Sequence, residues 1–293
     1  MKDSGLLFSI VIHLYNKGKY IADTMASVLS QTYADFEVIV VDDGSTDNGG
    51  NVVKSIADNR IKYFYKDNGG VSSARNYGVA KANGEWIYIL DADDFMMPNA
   101  LEFFFNVLAS FSGKLDVVTG GYIGTTDGKS TVFKPRKRGI AKNNYRWFFM
   151  NKLYLRAGNC IVRREIIQAY PYDESLSRFE DTEHILRMLG DHKVYVIPDL
   201  VLEYRHVNGG LSKPCHDKSK DYTFRLNFKG KPFWAKCGMG ELLMIASFTH
   251  PKERWSLLRQ YKFNIVYAAI AKVKTSFSRR KFQKWLSPLH PLR

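Results

Sequence analysis

Apolar residues in the first hundred positions fall into short, nearly unbroken runs separated by amphipathic stretches. Residues 8–12 (Phe-Ser-Ile-Val-Ile), 36–41 and 86–90 are apolar or β-branched runs of strand length, as expected of strands buried on both faces. Between them, residues 20–30 set Ile21, Met25, Val28 and Leu29 at helical spacing, 51–57 reads as a short helix and 61–65 as a further strand. Asn68-Gly69-Gly70 reads as a turn and 71–82 as a helix with Arg75 in its first turns. Strands alternating with helices predict an α/β fold with a parallel, doubly wound sheet.

The pattern continues with a helix opened by Pro98 and running to 111, a strand over 116–122, and a polar loop or hairpin over 125–138 that carries Lys134, Arg136, Lys137 and Arg138. An aromatic-rich helix over 143–154, a strand over 157–163 and a helix through 189, introduced by Arg178-Phe179-Glu180-Asp181, come next. Residues 193–197 and 200–204 are short strands. Beyond Arg205 the composition changes: Asn208-Gly209-Gly210 and Lys213-Pro214 break the pattern, and helices are predicted over 241–248 and 255–277. In the second, Leu258, Tyr261, Ile265, Ala269 and Val273 share one helical face, suited to packing or to a membrane surface. The chain therefore divides into a body of residues 1–205 and a mainly helical extension of residues 206–293.

Charge sharpens that division. The net charge is +14, yet residues 206–293 carry 18 Lys and Arg against 4 Asp and Glu, and the body is neutral. A basic, aromatic extension is the composition that meets an anionic surface. Arg279, Arg280, Lys281 and Lys284 form its densest cluster, with Trp255 and Trp285 alongside. Three cysteines, Cys160, Cys215 and Cys237, are too widely spaced for a zinc site or a disulfide framework, which points to a reducing compartment. No uncharged apolar stretch of 18 residues occurs, and the apolar run at 6–12 is too short and wrongly flanked for a signal peptide.

Candidate chemistry begins where 86–90 runs into Asp91-Ala92-Asp93-Asp94. Carboxylates at the C-terminal end of a buried strand emerge where open α/β sheets bind ligands. A pair one residue apart suits a hard divalent cation that also holds phosphate oxygens, although an isolated pair is more often a solvated acidic turn. Asp42-Asp43-Gly44-Ser45-Thr46-Asp47 places a second acidic segment after the strand at 36–41, with Asp42 better suited to a structural role.

Four segments in order carry a family resemblance: Ser9-Ile-Val-Ile-His-Leu-Tyr-Asn-Lys17, Ser27 through Asp47, Asn68-Gly-Gly-Val-Ser-Ser-Ala-Arg-Asn76 and Gly84 through Asp94. Together they resemble the opening of the family 2 glycosyltransferases, over about residues 8–100. That resemblance implies the GT-A fold, a Rossmann-like, mostly parallel sheet flanked by helices, and a nucleotide-sugar donor. It implies that Asp93, with Asp91, holds Mn2+ or Mg2+ against the diphosphate, with Ala92 between them, and that Arg75 faces the diphosphate. Tyr15 and Asp43 match base-binding positions, and Lys17 reaches the same donor. His13 stands with Leu14 where the family usually has Pro-Thr or Pro-Val-like residues, so it either bonds the base or packs beneath it. A carboxylate that accepts from an imide N–H favours uracil or thymine and permits guanine.

Glu180-Asp181 matches the pair that supplies the general base of inverting members, with Asp181 as the base; acidic residues in a first turn also complement a helix dipole. His206, in Tyr204-Arg-His-Val-Asn-Gly-Gly-Leu-Ser212, is similar to a stretch that offers a metal-ligating histidine. The expected activity is metal-dependent, inverting, hexosyltransferase-like transfer of a sugar from a nucleoside-diphosphate sugar, UDP-linked by preference. The acceptor is a hydroxyl of a glycan or lipid-linked saccharide in cell-surface polysaccharide synthesis, and the enzyme sits in the cytoplasm, peripheral at the inner face of a membrane. Nucleotidyl transfer fits less well, because residues 12–19 offer a single glycine, Gly18. A non-catalytic nucleotide-sugar-binding or membrane-scaffold protein with this fold is the alternative. No nucleic-acid motif accompanies the basic extension, so no nucleic-acid partner is expected.

Overall fold

The computed structural model describes residues 8–126, 128–190, 192–205 and 217–277. The elements in chain order are β1 (Phe8–Leu14), α1 (Ile21–Leu29), β2 (Phe36–Asp43), α2 (Gly49–Lys54), β3 (Ile61–Lys66), α3 (Val71–Lys81), β4 (Trp86–Asp91), β5 (Phe95–Met96) and α4 (Ala100–Ser110). There follow β6 (Val117–Thr126), β7 (Lys129–Phe133), β8 (Gly139–Ile140), α5 (Asn144–Phe149), β9 (Cys160–Arg163), α6 (Arg164–Ala169), α7 (Glu180–Met188) and β10 (Val194–Arg205). The chain closes with α8 (Phe233–Thr249), α9 (Arg254–Gln260) and α10 (Ile265–Phe277).

One sheet runs β3-β2-β1-β4-β9-β6-β10-β5, with β7 added to β6 and β8 to β10. The long pairings are parallel: β2 and β4 on β1, β3 on β2, and β10 on β6. The expected doubly wound alternation ends after β4, where β9 enters antiparallel between β4 and β6. Apolar β1, β2 and β4 are covered on both faces, and their pleat sorts the side chains. Ile10, Ile12, Trp86, Tyr88 and Leu90 join Met25, Leu101 and Phe104 of α1 and α4. Val11, Ile39, Val41, Ile87 and Ile89 join Ala74 of α3 and Ile185 of α7 on the other face. Gly78 lets α3 lie close on the sheet, since an added Cβ there would run into Val11.

Several boundaries differ from the sequence expectation for local reasons. The 125–138 segment is a hairpin of β6 and β7. The expected helix over 143–154 is capped by Asn143, whose side chain accepts from the Arg146 N–H, and is ended early by Asn151 in the left-handed region. The strands at 193–197 and 200–204 are one strand with a bulge, β10. The helix expected at 241–248 starts eight residues earlier, as α8.

The expected helix over 255–277 breaks at a 3-10 turn of residues 262–264. A tighter turn shifts the helical phase, so the predicted face is only partly buried: Tyr261 is buried as expected, but beyond the turn Ala269 and Val273 are exposed and Ala271 is buried instead. The buried residues of α8 and α9 share a core with Leu186 of α7. No described helix is long and apolar enough to cross a membrane.

Candidate active site

The site lies where β1, β2 and β4, neighbouring parallel strands, all end. Register puts His13 opposite Asp91 and Leu14 opposite Asp42. Asp91 has the pleat parity of Ile87 and Ile89, which directs it to the α3 and α7 face of the sheet. There Arg75 Nη2 donates to Asp91 Oδ1 at 2.8 Å, and Arg75 Nη1 reaches Glu180 Oε1 at 3.4 Å. Arg75 is 3 % exposed, so it is no surface helix residue. Its guanidinium lies over the Tyr172 ring at 5.2 Å, and Tyr172 stacks on His184. One arginine therefore ties the end of β4 to the first turn of α7.

Burial opposes ionisation of Asp91, but the charge and hydrogen bond of Arg75 outweigh it and hold the carboxyl below its ordinary value. Burial and then the Asp91 charge push Asp93 up, against the stabilising Lys17 ammonium, which pairs with Asp93 Oδ2. Asp94 is fully buried and raised well above its usual range by burial and Asp91; its Oδ1 accepts from the Arg205 N–H at 2.9 Å. Glu180 is pushed up to about 7, by burial first and then by Asp181. The site thus holds one carboxylate kept ionised by Arg75 and others that burial drives toward protonation.

The β1–α1 loop is pinned to the β2–α2 loop. Ser45 Oγ accepts from the Asn16 N–H, Asn16 Oδ1 accepts from the Thr46 N–H, and Asp47 Oδ2 accepts from the Gly18 N–H. Asn16 takes the left-handed conformation this requires, and Tyr15 stands 38 % exposed beside it. Asp42 is structural, accepting from the Ser45 N–H and the Tyr63 hydroxyl.

Asp43 is fully buried, and its carboxylate accepts from the Gly69 and Gly70 N–H groups and from Lys66 Nζ. Three of its roughly four acceptor positions are thereby filled. His13 is held near 4 by burial and by Arg75, and its Nε2 has no hydrogen-bond partner among the described residues. Asp181 opens α7 with Glu180, and its Oδ1 accepts from the Thr182 N–H at 2.6 Å. His206 lies outside the described residues, as does the Arg279, Arg280, Lys281, Lys284 and Trp285 cluster.

Sequence reasoning left several participants out. Lys66 sits directly across from Asp43 in the β2–β3 register, an opposite-charge pair that strand alignment could have found. Glu180 was read only as the partner of Asp181, and its tie to Arg75 was not foreseen. Tyr172 and Arg205 reach the site through tertiary contacts that no local pattern announces, and His184 is the packing residue its place one turn into α7 suggests.

Oxygen ligands suit Mg2+ or Mn2+, and such ions are usually held by one or two carboxylates together with substrate phosphates and water. Asp91 and Asp93 meet that demand. No group of three or more His, Cys, Asp or Glu side chains able to hold a metal is formed among the described residues; an ion on Asp91 and Asp93 would complete its shell with phosphate oxygens and water. It would also compete with Lys17 for Asp93.

Residues 9–170 match the family described as Glycosyl transferase family 2, and the chain belongs to that family. It is 42 % identical over 249 residues to an uncharacterized glycosyltransferase, RT0329, of Rickettsia typhi, covering 83 % of this chain and 76 % of the relative. Against longer rickettsial relatives the chain spans 19 % of their length. Among solved structures it is similar to S. aureus TarS 1-349 in complex with UDP-GlcNAc, with a TM-score of 0.65 and 19 % identity over 83 % of this chain and 66 % of that one. It is also similar to the mannosyltransferase PcManGT of Pyrobaculum calidifontis, in complex with GDP-Man and Mn2+, with a TM-score of 0.61 and 15 % identity over 96 % and 83 %. The fold is therefore GT-A, as the resemblance implied.

Proposed function

We propose that the chain is an inverting, metal-dependent glycosyltransferase that moves a sugar from a UDP-sugar to a hydroxyl of a glycan or lipid-linked acceptor. The observation that carries this reading is the Asp91–Arg75–Glu180 connection, which sets a strand-end carboxylate pair beside the Asp181 turn of α7. In this reading Tyr15 offers a ring face to the base, and His13 Nε2 is an available polar atom beneath it. The last acceptor position of Asp43 takes the imide N–H. Uracil and guanine both carry that group, in keeping with the UDP-GlcNAc and GDP-Man bound by the two structural neighbours.

Lys17 and Arg75 face the diphosphate, and Asp91 and Asp93 hold the ion. A divalent cation at this position supplies charge to offset what develops on the leaving diphosphate. Asp181 takes the acceptor hydroxyl's proton as that oxygen bonds to the anomeric carbon and the bond to the diphosphate breaks on the opposite face.

The test is nucleoside-diphosphate release from a panel of UDP-sugars and GDP-mannose, with and without Mn2+, each with candidate acceptors. Release that is metal-stimulated, acceptor-dependent and strongest with a UDP-sugar is expected. A folded protein that binds nucleotide but never turns over would favour the binding-protein alternative.

The division at residue 205 into a catalytic body and a basic extension is part of this proposal, as is peripheral attachment to an anionic membrane. Supporting it, Trp255 and Phe263 are 72 % and 83 % exposed beside Arg254, Arg259 and Lys262. Aromatic residues mixed with basic ones suit a headgroup boundary. Sedimentation with phosphatidylserine vesicles should bind the full chain at low salt and release it at high salt; binding that ignores both salt and lipid charge would count against it.

A further inference from the structure

α7 is entered through a strained residue. Phe179, its N-cap, has φ +59°, a left-handed conformation that is unfavourable for a bulky side chain and persists only when its surroundings fix it. Those surroundings come from the far end of the chain. Arg178, immediately before it, is 5 % exposed, and it meets Asp221 and His250, which are 0 % and 7 % exposed.

Arg178 Nη1 donates to Asp221 Oδ2 at 2.8 Å and lies 2.9 Å from His250 Nε2. His250 Nε2 also lies 3.2 Å from Asp221 Oδ2, so the three side chains meet in one buried contact. Asp221 Oδ1 meanwhile accepts from the Thr223 N–H and hydroxyl. The backbones join as well: the Ser177 N–H donates to the Lys220 carbonyl and the Tyr222 N–H to the Arg178 carbonyl. The Phe179 ring packs into the core formed with Leu226, Leu243 and Tyr261.

We propose that this buried Arg178–Asp221–His250 cluster positions the general base. It rests on the reading of Asp181 as that base and adds a role for the segment beyond residue 205. None of the three touches the reacting atoms. They fix the chain three residues before Asp181, and α7 is only nine residues long, so release of Arg178 turns its first turn and the Asp181 carboxylate away from the acceptor hydroxyl. Displacements of about 1 Å far from the chemistry can cost on the order of 100-fold in rate. The donor half, built on the ends of β1, β2 and β4, contains none of these contacts, and Arg75 keeps its closer bond to Asp91 there whatever becomes of its longer contact with Glu180.

A double-mutant cycle on the full chain tests this, using the nucleotide sugar that gives fastest release in the panel. Asp221→Asn should lower kcat at least tenfold while the donor KM, and the Kd for UDP with Mn2+ measured by calorimetry, stay within about twofold. In an Asp181→Asn background the same change should have almost no further effect, because the group being positioned is gone. Val107→Ala, a core change in α4 on the other face of the sheet, matched for thermal destabilisation, should leave kcat at the assay temperature unaltered.

Arg178→Lys, which keeps the charge and loses the fork, provides a milder variant should Asp221→Asn fail to fold, with an intermediate kcat expected. Unchanged kcat in folded Asp221→Asn or Arg178→Lys would overturn the proposal. So would an equal loss in the presence and absence of Asp181. Near-normal transfer by Asp181→Asn alone would instead remove the base assignment beneath it, an outcome separable from the other two.

Discussion

The two sides of the site are built by different means. On the proposed donor side, Tyr15, Asp43 and Asp91 sit at or just past the ends of three adjacent parallel strands, which place them directly. On the proposed base side, Asp181 stands in the first turn of a short helix entered through a left-handed residue and fixed by contacts from residues 217–250. Backbone hydrogen bonds of a buried sheet are difficult to perturb with one substitution. A turn held by a few buried polar groups is not, since loss of one partner leaves the others unpaired. The donor side is thus the robust half, and the base side is the half through which remote parts of the chain can alter the rate.

The largest contrast is expected from Asp181→Asn. It preserves shape and removes the proton acceptor, so transfer should fall by about 10²–10⁴ while donor affinity stays within a few-fold. Steady-state kinetics beside UDP calorimetry would show it, and near-normal transfer would place the base elsewhere.

Arg75 belongs to both sides and should report on both. Arg75→Ala leaves Asp91 and Glu180 facing each other without a counter-ion, and breaking a buried ion pair from one side costs about 3–5 kcal/mol. We expect a lower urea midpoint together with loss of both donor affinity and turnover. A variant of normal stability would mean that the two halves are not joined through this residue.

Asp93→Ala should confine its effect to the donor side. It removes one of the two proposed cation ligands and frees Lys17, so metal stimulation of donor binding should disappear with the fold intact and with UDP binding in EDTA nearly unchanged. Normal metal-dependent binding would remove Asp93 from that role.

The same contrast explains what could be read from the sequence. Runs such as 36–41 and 86–90 specify strands by composition alone, and once the strands are adjacent, Asp43 and Asp91 come together with no further information. The burial of Asp43 under Lys66, Gly69 and Gly70 was not foreseen, because it depends on how a turn folds back. Nor was β9, antiparallel in the middle of the sheet, because a four-residue apolar strand carries no mark of its direction. The phase of α9 and α10 was lost at one 3-10 turn, and the Arg178–Asp221–His250 cluster joins residues 29 to 72 positions apart. Local periodicity contains none of that.

The smallest effect concerns pH and separates Glu180 from the histidines around it. The Glu180 carboxyl, at about 7 in the fold against an ordinary 4.5, favours its protonated form on folding. Its contribution to stability is fully present below pH 4.5 and is lost as pH rises through 7. His13 and His184, held by burial near 4 and near 3 against 6.5, act in the opposite sense. Their contribution is present above pH 6.5 and lost as pH falls through 4 to 3. Between pH 4.5 and 6.5 the two trends oppose each other, so the wild-type profile should be shallow there. Glu180→Gln removes the trend that declines with rising pH and leaves the histidines in place. The difference in unfolding free energy between variant and wild type should therefore move in the variant's favour by about 1–2 kcal/mol from pH 4.5 to 7, allowing for the shared charge with Asp181. Urea titrations at four or five pH values would resolve that change, and parallel profiles would show that Glu180 is ionised throughout, paired with Arg75 as firmly as Asp91 is.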